Sequence, residues 1–344
     1  MPGEISGVLR LASLQRTRPL IISALMGAGW RDDSQKALQL VQRTAATHIE
    51  QSHTIAAVVT ELRKAGIEPV LLKGLGLARN YPEPLLRKCG DIDLYVGKEN
   101  YDKACEVVMG MTSEEAIKNS IKSTKHLHIS VGGFKVELHR VSEEIADRRH
   151  NDVYQAIADN GLSQDLVPLN FDGTTVNTPA DSFNAFFIFH HFLHHFFSGG
   201  IGLRQVCDWV MFLHSRAGKL DTSVAEDALK GMNLLSFWQT FACIAVDYLG
   251  LPAAEMPFYR AGMEREAAGA LGLILAEGNF GMGRKDRQNR PQGYLAGKLY
   301  SFRMTIRRYI ALCRIFPRER RAIFAKIIRF TLHGSGRVIK DLRR

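Results

Sequence analysis

The chain is short of several things that would have settled its class early. It has no uninterrupted apolar run of 18 residues, so no membrane-spanning helix is expected. Its five cysteines (Cys89, Cys105, Cys207, Cys243, Cys313) are odd in number, widely spaced and without a CxxC pair, which argues against a disulfide framework and against a zinc ribbon. The first twenty residues, MPGEISGVLRLASLQRTRPL, scatter arginines through their apolar positions and lack a compact apolar stretch before a small-residue cleavage site. A secretory leader is therefore not expected, and the cytoplasm is the expected compartment. Internal repeats and low-complexity tracts are also absent. Acidic excess is missing too: the net charge is +10, and residues 300–344 alone carry 13 Lys and Arg against Glu319 and Asp341, so the rest of the chain is nearly neutral.

What is present is an ordinary globular composition, 46% hydrophobic and 23% charged, over 344 residues, enough for two domains or one domain with a large appendage. Residues 35–66 place apolar side chains at helical spacing and end at Gly66, a natural helix stop. Val70, Leu71 and Leu72 then read as a strand covered on both faces. LGLARNY reads as a short helix stopped by Pro82 and Pro84, DIDLYV as a second strand, and KENYDKACEVVMGM as a helix behind it. HLHISV (126–131) and FKVELHRV (134–141) alternate strongly and are joined by Gly132-Gly133, a hairpin signal. From Asp181, a candidate helix cap, the pattern is helical almost throughout, with residues 278–293 read as a mobile loop. The expectation is an α+β fold, a mixed sheet flanked by helices and followed by a large all-helical region. Its divisions are an N-terminal helical segment (1–66), the α+β unit (67–178) and a helical C-terminal domain (179–344) whose basic tail is 300–344.

The chemistry concentrates at RKCGDIDLYV. Residues two apart on a strand share a face, so Asp91 and Asp93 should project together. Two carboxylates that close repel unless a cation lies between them, and Mg²⁺ or Mn²⁺ takes carboxylate oxygens with waters and phosphates. Two-metal phosphoryl chemistry calls for a third carboxylate on a neighbouring strand, and Glu137 is the candidate. Lys73, at a strand end before a turn permitted by Gly74 and Gly76, and Arg87, four residues before Asp91, are candidate grips for a triphosphate.

The histidines of FHHFLHHFF form i,i+4 pairs, His190/His194 and His191/His195. The glutamate that the zinc-protease pattern needs after the first histidine is missing, since Phe192 follows His191. Packing or a place on the cleft wall is the better reading, beside Arg204 and Asp208, which are four apart on a helix and expected to pair. Cys89 needs only to pack. In the tail, arginines alternate with Phe, Ile and Leu at helical spacing. That pattern fits a solvated helix face first, a peripheral helix on an anionic membrane surface second, and nucleic acid third.

The set LLKGLGLARNYPEPLLRKCGDIDLYV, VELHR and HHFLHHFFSGGIGLRQVCDWVMFL resembles the bacterial family of uncharacterised nucleotidyltransferases within the polymerase-beta-like superfamily, over roughly residues 50–220. The resemblance implies a mixed sheet flanked by helices, with metal carboxylates at Asp91, Asp93 and Glu137. Around them it implies substrate and phosphate contacts from Lys73, Gly74, Arg87, His139, His194, Arg204 and Asp208. It also implies transfer of a nucleoside monophosphate from an NTP, with ATP as the expected donor, to an acceptor that is a small molecule, a glycan precursor or a protein. The wider superfamily usually carries Gly-Ser where this chain has Lys73-Gly74, so the hydroxyl that would touch the phosphates is absent. A second reading therefore stands beside the enzyme: a catalytically silent module that binds a nucleotide or a partner protein.

Overall fold

The computed structural model describes residues 2–31, 35–284, 291–321 and 323. Three helices open the chain, α1 (Pro2–Leu14), α2 (Arg18–Gly27) and the long α3 (Lys36–Lys64), which ends with Gly66 at φ +77°. Next come β1 (Val70–Leu72), α4 (Gly74–Ala78), β2 (Ile92–Tyr95), α5 (Gly97–Met109), α6 (Glu114–Lys118) and β3 (Ile121–Lys122). The sheet is completed by β4 (His126–Val131), β5 (Phe134–His139), and, after α7 (Arg148–Gly161), by β6 (Val167–Phe171) and β7 (Thr174–Thr178). Beyond β7 the described residues are helical: α8 (Asp181–Ser198), α9 (Leu203–Ser215), α10 (Ser223–Gly231), α11 (Leu235–Cys243), α12 (Glu264–Glu277) and α13 (Tyr294–Ile315).

The seven strands lie in the order β3-β4-β5-β2-β1-β7-β6. Pairings β2 with β5 and β1 with β7 are parallel and the others antiparallel, so the sheet is mixed. This is the α+β architecture expected, with the helical region after it. Alternation explains how β2, β4 and β5 divide their side chains. Ile92, Leu94, Leu127, Ile129, Val136 and Leu138 are buried in one apolar cluster with Ile55, Val58 and Leu62 of α3 and Ala104 and Val108 of α5. The intervening residues, Asp93, His126, His128, Glu137 and His139, take the opposite face. Gly132 and Gly133, both at positive φ, make the two-residue turn between β4 and β5. A second, larger cluster gathers the phenylalanines of α8 around Trp209 and Trp238.

Several expectations need correction. The α7 helix and the β6/β7 hairpin went unread. Ala180, not Asp181, stands at the cap of α8, because the Asp181 carboxylate is engaged by Arg216 instead. Of the segment 278–293 read as a mobile loop, Asn279–Gly281 form a 3-10 turn, and buried Asn279 accepts a hydrogen bond from Gln205. Residues 285–290 lie outside the described residues, as do 322 and 324–344, which hold six of the 13 Lys and Arg of the basic tail. Within α13 the solvated-face reading fails at Arg308, which is 5% exposed and donates to the carbonyls of Phe196 and Phe197 and to Glu277. Among the described residues no helix is long and apolar enough to cross a membrane.

Candidate active site

A cavity of about 670 Å³ opens between the polar face of the sheet and helices α8 and α9. Strand register builds its floor. Asp93 of β2 pairs with Glu137 of β5, which pairs with His128 of β4, so one row crosses three strands as Asp93, Glu137, His128. The next row repeats the pattern with His139 opposite His126. His139 Nε2 lies 3.0 Å from Asp93 Oδ1 and 3.7 Å from Glu137 Oε1. Ligand atoms of Asp93, Glu137 and His139 all fall within 4.8 Å of one another, a spacing that fits one divalent cation.

Lys73 closes the floor from the β1 end. It holds φ +49°, a conformation uncommon for a side chain with a Cβ, and Gly74 follows at the same φ. The turn brings Lys73 Nζ to 3.5 Å from Asp93 Oδ1 and 3.4 Å from His191 Nε2, with the Phe187 ring beneath it at 5.9 Å. Burial alone would push the Asp93 carboxyl up. The charge of Lys73 and the hydrogen bond from His139 outweigh it and hold the group at about 2, so Asp93 is an anion at neutral pH. Helix α4, behind the turn, has only five residues, so a phosphate held here would depend on Lys73 more than on a helix dipole.

Asp91 is not equivalent to Asp93. It precedes the β2 ladder, is 42% exposed at its side chain and meets Lys135 Nζ at 3.0 Å, on the cavity rim rather than in the Asp93 group. Asp91 nevertheless shares the face of Asp93, as the alternation predicts: its partner Lys135 lies two residues before Glu137 on β5, and the same cavity takes in all three acids.

Arg87 is the clearest departure. It is 3% exposed and clasps Asp208 of α9 with two hydrogen bonds, Nε to Oδ1 at 2.9 Å and Nη2 to Oδ2 at 2.6 Å. Tyr81 donates to the same carboxylate at 2.8 Å. Arg87 is thus a tie between the Asp91 loop and α9, with its charge already matched, and Asp208 does not pair with Arg204. Arg204 donates instead to the Lys88 carbonyl at 2.5 Å, fixing the same loop from its other side.

Glu143 was missed by sequence reasoning. It lines the cavity just beyond β5, with His190 Nδ1 at 2.8 Å and His194 Nδ1 at 3.5 Å. Burial works against its charge, but the two histidines and Lys73 hold the carboxyl at about 2. His191 is pushed well below its usual range by burial first and Lys73 second, and His195 to about 4 by burial and His194. The i,i+4 pairs of α8 therefore do different work: His190 and His194 converge on Glu143, while His191 and His195 are neutral wall residues in edge contact.

The fold is thus a mixed α+β sheet with a charged cavity on its polar face. The chain belongs to the family described as uncharacterised nucleotidyltransferase, whose profile matches residues 2–250. No curated protein matches it. Among solved structures, it is similar to an antigenic nucleotidyltransferase-like protein from Paracoccidioides brasiliensis, at 13% identity over 58% of this chain and 92% of that one. The TM-score of that pair is 0.37, too low to bear on the chemistry.

Proposed function

We propose that the chain is a metal-dependent nucleotidyltransferase of the polymerase-beta-like kind, moving a nucleoside monophosphate from an NTP to an acceptor and releasing pyrophosphate. The observation that carries the reading is the in-register pair Asp93 and Glu137, facing one cavity with His139 between them and Lys73 at its end. Asp93, Glu137 and His139 would hold the ion, with Asp91 at the rim. Mg²⁺ or Mn²⁺ supplies charge neutralisation at the transferring phosphoryl group. The chain's own residues do the rest. Lys73 places a positive charge at the cavity floor against the phosphates, and its charge holds Asp93 ionised before substrate arrives. The Arg87–Asp208 tie and the Arg204 bond to Lys88 hold the loop that carries Asp91. The walls of α8 narrow the space left to water. In the reaction the acceptor oxygen bonds to the α-phosphorus, the bond from that phosphorus to the bridging oxygen breaks, and pyrophosphate leaves while the acceptor proton passes to solvent.

The test supplies the purified full-length chain with each NTP in turn, ATP first, with Mg²⁺ or Mn²⁺ and a cell extract as the source of acceptor. Pyrophosphate release by the wild type and its loss in Asp93→Asn and Glu137→Gln are the expected results. Release that is equal in all three proteins would overturn the assignment. Nucleotide binding without any release would instead favour the silent binding module.

A further inference from the structure

The histidines of β4 are not used by the reaction just described, yet they face its floor. Position by position, β4 sets His128 opposite Glu137 and His126 opposite His139. The two β4 histidines are two residues apart and so share the polar face, with ring centroids 4.4 Å apart. Ligand atoms of His126, His128 and Glu137 lie within 4.8 Å of one another. Glu137 is common to this group and to the Asp93 group, and its Oε1 faces both, lying 4.0 Å from His126 Nδ1. Oε2 lies 3.2 Å from His128 Nδ1, while Oε1 lies 3.7 Å from His139 Nε2. His128 Nδ1 is closed off from solvent and makes no hydrogen bond of good geometry, an orphaned nitrogen aimed at a carboxylate.

We infer that His126, His128 and Glu137 form a second cation site that takes a divalent transition ion of the Zn²⁺ class, with Glu137 bridging it to the Asp93–Glu137–His139 site. Two imidazoles and one carboxylate suit such an ion and leave a coordination position open, whereas the neighbouring group, with two carboxylates to one imidazole, is richer in the oxygen ligands that Mg²⁺ and Mn²⁺ favour. Bridging by one carboxylate is the arrangement that brings two ions to the roughly 3.5–4 Å separation of two-metal sites. The inference rests on the proposed metal-dependent reading only for the neighbouring ion; its own ligands come from β4 and β5.

The experiment is equilibrium dialysis of the chelator-stripped full-length chain against Zn²⁺ in excess Mg²⁺, with bound zinc counted by mass spectrometry. Wild type, the double variant His126→Gln/His128→Gln, and Asp93→Asn are compared, with circular dichroism to confirm folding. Wild type and Asp93→Asn are expected to retain a zinc that the double variant loses. Equal zinc in wild type and the double variant, or zinc displaced completely by Mg²⁺, overturns the site. Should the double variant not fold, X-ray absorption at the zinc edge of the loaded wild type decides: imidazole scattering is expected, and its absence refutes the assignment. Zinc that depends on His126 and His128 without any pyrophosphate release leaves this site standing and removes the transfer reaction. Pyrophosphate release without such zinc does the reverse.

Discussion

Asp93 shows how a carboxylate survives burial: Lys73 on one side and His139 on the other compensate for the lost water, and the group stays ionised. Glu143 is held in the same way by His190 and His194, and its consequence can be measured. A carboxyl whose pKa in the fold, about 2, lies below its ordinary 4.5 stabilises the fold at every pH above that ordinary value. The contribution is lost as pH falls through the folded pKa. Urea melts followed from pH 5 to pH 2 should therefore show a smaller loss of stability for Glu143→Gln than for the wild type; identical slopes would show that the pairing contributes nothing. His191 acts in the same direction at higher pH, because burial and Lys73 keep it neutral in the fold while the unfolded chain takes up a proton near the ordinary histidine value of 6.5. The Arg87–Asp208 pair makes a different prediction. Both side chains are almost wholly buried, so Asp208→Ala leaves an unmatched guanidinium and should cost about 3–5 kcal/mol in unfolding free energy. Adding Arg87→Met to that variant should recover much of the loss, since the stranded charge goes with it.

At the scale of elements, α7 and α8 meet with no spare room. A Cβ added at Gly161 would lie 2.2 Å from Phe183 Cβ, so Gly161→Ala must push the helices apart. We expect a cost of about 1–3 kcal/mol, read from thermal or urea unfolding. The elements differ in how plainly the sequence announces them. The α3 helix and strands β2, β4 and β5 follow from periodicity, because each has one apolar face and one polar face. The Gly132-Gly133 turn follows from a backbone that needs positive φ at both positions. The β6 strand escapes such reading for a physical reason. It is an edge strand, and Pro168 is tolerated there because one side of its backbone has no ladder partner. Strand geometry and charge pointed to Asp93, Glu137 and Lys73 as neighbours, and the structure brings them to one cavity, whereas His139 was marked only by the family resemblance. Glu143 was not legible, since it lies in an irregular segment after β5 where no period marks a facing direction. Arg87 was legible as a cation but not as a buried one, because its partner is 121 residues away.

Across the whole molecule the sheet has two duties. One face closes an apolar core with α3 and α5; the other presents charged and imidazole groups to a cavity walled by α8 and α9. The helical half is thus a structural part of the site: α8 supplies Lys73 with His191 and Glu143 with its histidines, and α9 anchors the Asp91 loop through Asp208 and Arg204. The family match over residues 2–250 spans both halves of that cavity. The most direct test of the account follows the phosphorus itself, by offering the full-length chain an NTP labelled at either the α- or the γ-phosphate in the presence of cell extract. Nucleotidyl transfer predicts that the α label enters an acceptor and the γ label leaves in pyrophosphate, with both events lost in Asp93→Asn. Entry of the γ label into the acceptor, or transfer of the α label undiminished by Asp93→Asn, would contradict it.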